Sequence, residues 1–571
     1  MFGIPELDNM LCSLLTRHDL AQCARVNTKW YTAIVPSLWR DLSCLNGSSN
    51  TQQQAFRTLV YEDYLHEKQQ DELHGGKHGT EEPTQARPQF LATLTRYIPW
   101  IGLLPDLDNL FTPHNSIQQQ GLLSESSKSL AEKVLLLHLV NRCRHARLSH
   151  FCLYYDSYGS DFDQEIMSFV LPRVRHLSVQ AKYHDEFGGI RKLHHLLNQC
   201  STTLMKLTLN IDFQYTNEWN IKALAEQDFS DVEGAATPEE WLHLKELVLN
   251  LWGCFGALQP SKFWSWLFQR CGRVETLKVS NIRPGPEVFI AEAALANMPN
   301  LVHITLGQDV MHDRIGYLIE DHQVATLLRG SRRGWKSVRL KNLTRFKSLS
   351  MEALGRDFAT LEAFEVAEIA GAYDSPTDLL RVLSSCPNLR AFSRSQEDPY
   401  FHNCFASSLF VDCDPNTYLL KTWACESSLK VLKASIGYIP RPELGVQSSS
   451  IYEAYPGQGR EIQGLVYDRI ARLTNLEVLG LGLRSFPRDH IQYYCLEMSL
   501  ESGLHKLSRL KKLQALSVVG MVVRIGVKEA QWMVEHWPRL RIIDGLDERS
   551  DAGKEAVEWL KEHYPGSHCR V

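Results

Sequence analysis

LTNLEVLGL, residues 473–481, places apolar side chains at Leu476, Leu479 and Leu481, with two residues in the first gap and one in the second. The second gap is that of a β-strand with one face buried, because alternate strand residues share a face. The phrase recurs thirteen times in order, from Leu148/Phe151/Leu153 to Leu540/Ile543/Gly545, at a mean period of about 33 residues. That period holds a strand, a loop, a helix and a return turn. Three copies degrade at their last position, at Arg394, Ala434 and Gly545. The lead-ins CPNL (386–389), MPNL (298–301) and LTNL (473–476) bring each helix back to the next strand.

The phrase matches L-x-x-L-x-L, the strand pattern of leucine-rich repeats. It predicts an α/β solenoid, a horseshoe with a parallel concave sheet and outer helices, over residues 147–548. The stretch DAGKEAVEWLKEHYPG, within 549–571, reads as an amphipathic capping helix. In such strands the second and third anchors point inward, so their neighbours line the concave sheet. Those neighbours form a basic centre at Lys278, Arg339 and Lys341, and a small, flat surface further along. The basic centre suits an acidic segment of a protein client; solvated strand residues are the plainer reading. Two of the long steps between phrases, spanning 396–428 and 436–472, are rich in rings, among them Tyr400, Phe401, Trp423, Tyr438, Tyr452 and Tyr455. Tyrosine and tryptophan on loops are common interface anchors, and they also fold back as satellite cores.

Composition bounds the function. The chain has 571 residues, 44% of them apolar and 22% charged, with a formal net charge of −5. This mildly acidic balance argues against broad binding to nucleic acid or to an anionic membrane. The basic run RGSRRGWK (329–336) reads as a solvated turn. The start MFGIPELDNM lacks a cationic n-region, and no apolar run is long enough to span a bilayer. The fourteen cysteines show no paired framework, as expected of reduced thiols in the cytoplasm or nucleus.

The first 45 residues read as three short helices. Apolar side chains keep helical spacing after Pro5, Asp19 is a plausible N-cap, and a third segment starts near Trp30. The order Ile-Pro-Glu, Met-Leu, Leu-Leu, Asp-Leu, Cys-Ala-Arg-Val-Asn, Lys-Trp and Leu-Trp over Ile4–Leu42 resembles the F-box. It is similar above all to the F-box-like start of fungal F-box/leucine-rich-repeat proteins. The resemblance implies docking to a Skp-family adaptor, and through it to a cullin, in an SCF-type ubiquitin ligase whose repeats select the client. The implied adaptor-binding residues are Ile4, Pro5, Leu7, Leu11, Leu14, Leu15, Leu20, Val26, Trp30 and Trp39. Independently, about 40 residues bury too little surface to be stable alone, so surplus apolar side chains must meet the solenoid or a partner. The alternative is a repeat scaffold whose N-terminal helices only cap the array.

Residues 46–146 read as a linker with a mobile loop at 67–89, followed by atypical helical early repeats at 90–112 and 121–146. Cys143, His145, His150 and Cys152 are zinc-capable residue types, but their spacing fits an ordinary helix-to-strand junction, so no metal is expected. No P-loop, nucleophile elbow or H-E-x-x-H motif occurs, and GQGREIQG (457–464) is not a dinucleotide fingerprint. The sequence therefore points to a non-enzymatic protein without a cofactor.

Overall fold

A computed structural model describes residues 103–104, 147–156, 171–182, 188–200, 203–212, 240–252, 262–280, 293–307, 320–344, 346–368, 376–394, 405–406, 410–413, 419–434, 436–437, 439, 459–481, 496–519, 521–523, 525–546, 550–564 and 568–570. The described residues fall in two compact units that divide after Val248. The F-box-like segment 1–45 and the loop 67–89 lie outside the described residues, as do Cys143 and His145.

In the first unit β1 (Leu103–Leu104), β2 (Arg147–Asp156), β3 (Val174–Lys182) and β4 (Lys206–Asp212) run parallel in chain order. The phrase sets the register: Phe151, Leu177 and Leu207 are cross-strand partners, as are Leu153, Val179 and Leu209. Helix α1 (Gly188–Asn198) supplies the return path and buries Leu193, Leu196 and Leu197. Strand β1 corrects the helical reading of 90–112 at Leu103 and Leu104 alone; the rest of that stretch lies outside the described residues. A short apolar run does not distinguish helix from strand by pattern, and pairing with Arg147 and Leu148 selects the strand. The Lys245 and Glu246 amides donate to Met205 O at 2.8 and 3.2 Å.

Strand β5 (Glu246–Trp252) contributes Leu249 and Leu251 to the core of the second unit. There β6 (Thr276–Ser280), β7 (His303–Gly307), β8 (Ser337–Thr344), β9 (Ala363–Glu368) and β10 (Ala391–Arg394) lie parallel in chain order. A short strand, β11 (Phe405–Ala406), leaves this sheet before β12 (Val431–Lys433) and pairs with β13 (Ile436–Gly437). The main sheet continues through β12 to β14 (Val478–Gly480). Likewise β15 (Glu497–Met498) leaves before β16 (Ala515–Ser517) and pairs with β17 (Val522–Val523). The sheet ends with β18 (Ile542–Asp544) and β19 (His568–Arg570). The middle anchors from Leu277 to Ile543 form one buried cross-strand row.

The returns are α2 (Lys262–Gln269), α3 (Asp321–Arg329), α4 (Ser348–Gly355), α5 (Pro376–Ser385), α6 (Gly459–Ala471), α7 (Val527–His536) and α8 (Asp551–His563). This succession of parallel strands and return helices, in register at the phrases on β2 to β4 and on β6 to β18, is leucine-rich-repeat architecture. The segment 549–571 is more than a helix: α8 stops at His563, and the chain then returns as β19 against β18.

Polar groups in the turns tie repeat to repeat. Lys336 O accepts from the amides of Glu362 and Ala363, and Glu362 O from those of Arg390 and Ala391. The Asn300 and Asn388 amide side chains donate to Gly272 O at 3.0 Å and Ala359 O at 2.7 Å, and Asn475 donates to Ser427 O at 2.5 Å. The asparagine of the CPNL, MPNL and LTNL lead-ins thus satisfies a carbonyl of the preceding turn. Gly545, one of the degraded third anchors, has φ +91°, and a Cβ there would meet Val519 N at 2.4 Å. Only glycine fits that position.

Candidate protein-interaction surface

Burial alternates along the strands, so the flanking residues do face out. On β6, Leu277 and Val279 are buried while Thr276, Lys278 and Ser280 are half-exposed. Of the basic centre, Lys278 is half-buried and Arg339 exposed; the side chain of Lys341 lies outside the described residues. Arg339 Nε sits 3.8 Å from Glu365 Oε2 on the next strand, so a carboxylate already answers part of this centre. Burial and then the Lys336 charge hold His303, one strand away, below the usual imidazole pKa, despite Glu362 and Glu275 acting the other way. This part of the face is mixed in sign.

The aromatic reading of the long step requires a correction at Trp423. That indole is only 2% exposed and packs edge-on against Phe410 at 5.4 Å. The guanidinium of Arg469, on α6, lies over its face at 4.8 Å. Arg469 is fully buried and donates to Phe410 O, Asp412 O, Lys421 O and Glu426 Oε1. Arg472, a helical turn on, donates to Leu420 O at 3.0 Å. Trp423 is thus a satellite core residue that fastens the segment around 410–428 to α6. Tyr467 is buried as well, its hydroxyl donating to Glu497 O at 2.5 Å. Tyr400, Phe401, Tyr438, Tyr452 and Tyr455 lie outside the described side chains.

The sheet carries another feature that sequence reading passed over. Two residues after each first anchor, Ala363, Ala391, Val431, Val478, Ala515 and Ile542 occupy successive strands in register. They are half-exposed, Ile542 reaching 41%. The signal was available had the phrases been stacked and this column read downward.

Several buried thiols line the helix-to-strand turns. Cys200 and Cys271 donate to the carbonyls of Leu196 and Leu267 four residues back. Burial pushes Cys386 and Cys425 up to about 12, and raises Cys271 as well. They act as small apolar fillers held as thiols. Among the described residues no three His, Cys, Asp or Glu side chains gather as a metal site, and no helix is long and apolar enough to cross a membrane. His150 and Cys152 lie on β2.

No protein-family model and no curated protein matches the chain. Among solved structures, a leucine-rich-repeat protein of Leptospira interrogans matches over 86% of this chain and 100% of its own, at 13% identity and a TM-score of 0.25. The fold assignment rests on the strand register.

Proposed function

We propose that this chain is the non-catalytic substrate-recognition subunit of an SCF-type cullin–RING ubiquitin ligase. Residues 1–45 dock a Skp-family adaptor, and the repeat array holds a protein client. The observation that carries this reading is the joining, in one chain, of the F-box-like order over Ile4–Leu42 to thirteen repeat strands. The outward side chains along the strands supply the recognition surface such a receptor needs. The chain needs no catalytic residue, because holding a client beside a charged conjugating enzyme raises the transfer rate by proximity.

The test is co-purification of tagged chain with adaptor and cullin. Leu11→Asp combined with Leu15→Asp is expected to abolish adaptor recovery and leave the melting of the array unchanged. Full recovery with the double variant overturns the ligase reading. In that case, a drop in melting temperature on deleting residues 1–42 would identify these helices as a cap on a scaffold.

A further inference from the structure

Each main strand of the second unit is entered through a turn from the preceding helix or loop. Because the strands are parallel and in register, these turns line one edge of the sheet. Their sequences are QRCGRVE (269–275), ANMPNLV (296–302), RGSRRGWK (329–336), GRDFATLE (355–362), SCPNLR (385–390), CESSLK (425–430), ARLTNLE (471–477), RLKKLQ (509–514) and HWPRLR (536–541). Together they hold fifteen Lys and Arg against five Asp and Glu, in a chain whose net charge is −5. Cations favour helix C-termini for dipole reasons, which accounts for those such as Arg329 in a last helical turn. Arg332, Lys512, Arg539 and Arg541 lie beyond that reach.

Beside β9, β10, β12 and β14 the turns balance, with Arg356, Arg390, Lys430 and Arg472 against Asp357, Glu362, Glu426 and Glu477, whereas beside β16 and β18 they hold cations alone. Arg509, Lys511, Lys512, Arg539 and Arg541 are all exposed, and among the described residues none makes an ion pair. Lys512 Nζ donates to Asn475 Oδ1 at 2.6 Å and Lys511 Nζ to His536 O at 3.0 Å, both neutral acceptors. Beside this edge runs the apolar column from Ala363 to Ile542, with Ile542 next in sequence to Arg541. Six strands at about 4.8 Å spacing make the column roughly 24 Å long.

We infer that this edge and its neighbouring column form the docking site for an acidic amphipathic segment of a partner protein. Its apolar face lies on the Ala363–Ile542 column, and the carboxylates at its β16–β18 end meet Arg509, Lys511, Lys512, Arg539 and Arg541. Charge complementarity selects the acidic partner, and the adjoining apolar column selects protein over nucleic acid, whose backbone offers no apolar face. A helix of about 16 residues, at 1.5 Å per residue, spans the column. The small side chains of Ala363, Ala391 and Ala515 permit its close approach. This inference rests on the reading of the array as a protein-binding surface and is independent of adaptor docking.

The test uses the full chain and three labelled probes: an 18-residue peptide with Leu and Glu at amphipathic helical spacing, its scramble of the same composition, and an 18-nucleotide single-stranded DNA. Fluorescence anisotropy is expected to show the amphipathic peptide binding about tenfold tighter than the other two, with affinity falling as salt rises. Reversing Lys511, Lys512 and Arg539 to Glu is expected to weaken the amphipathic peptide at least about tenfold. The matched reversal of Lys528, Lys554 and Lys561, exposed on α7 and α8, leaves binding unchanged, and circular dichroism checks that both variants fold. Ile542→Asn, which alters no charge, lowers affinity for the amphipathic peptide and not for the scramble. Equal binding of all three probes, or equal loss in both triple variants, overturns the inference in favour of a general polyanion surface. Failure of every probe overturns it too, while adaptor recovery, measured separately, reports on the ligase reading.

Discussion

Arg469 shows how one residue can decide the state of a whole insertion. Its side chain is entirely buried, yet its guanidinium finds three backbone carbonyls, one carboxylate and the face of Trp423. Burial and the nearby Arg472 lower its pKa, while Glu426 and Asp412 favour the cation. Arg469→Met removes the donors and strands those acceptors in the interior; losing one partner of such a buried set costs about 3–5 kcal/mol. Arg469→Lys keeps the charge on a single ammonium that cannot reach all four acceptors, so an intermediate loss is expected. Urea denaturation gives the ranking, and limited proteolysis should cut first around residues 410–428. A Met variant as stable as the parent would refute this role. None of this was legible in the sequence. A lone arginine in the helix Gly459–Ala471 reads as exposed, and its partners lie some fifty residues away. Trp423 was misread for the same reason, since a ring on a long connection looks like an interface anchor until its cover is known.

Elements of the array stabilise one another across repeats. Helix α4 has no capping side chain of its own at Lys347. Its first amides are met from the previous repeat, where the Asp321 carboxylate accepts from the amides of Lys347, Leu349 and Ser350 at 2.8, 3.0 and 3.0 Å and from the Ser350 hydroxyl. A carboxylate at a helix N-terminus also meets the positive end of the dipole. Asp321→Ala is therefore expected to destabilise the second unit by about 1–2 kcal/mol, the upper range for an N-cap. Asp321→Asn should recover part of that loss. Denaturation midpoints at constant slope measure both, and an Ala variant within error of the parent contradicts the cross-repeat cap. At this scale the sequence was informative where a pattern repeats. The thirteen phrases became strands because their apolar spacing is local and recurs, which no isolated run achieves. The two-residue strands β11, β13, β15 and β17 have too few residues to show a period, and β1 passed for helix. The cationic edge was hidden differently. Its charges stand a few at a time in turns some thirty residues apart, and only parallel stacking brings them into line.

In the second unit, stability is a sum over neighbours. Each phrase buries its anchors against the strands on either side, so loss at one end is felt next door before it is felt further away. Helix α8 buries Ala556, Val557 and Leu560, and β19 pairs with the outer edge of β18. Removing residues 550–571 uncovers the α7 surface that α8 covers and leaves β18 unpaired on that side. Burying one aliphatic side chain contributes about 1.5–3 kcal/mol, so losing Val557 and Leu560 with the groups they cover removes roughly 3–6 kcal/mol from that end. In a nearest-neighbour stack the loss should be graded. Amide protection should fall first in β18 and α7, next in β16, and remain near the parent values in β6 to β10. Hydrogen exchange followed by mass spectrometry resolves these segments. A uniform fall from β6 to β18 would mean that the unit unfolds as one block, and then a ligand bound at β16 and β18 would stabilise β6 as much as its own strands. A graded fall would confine that protection to the strands beside the cationic edge.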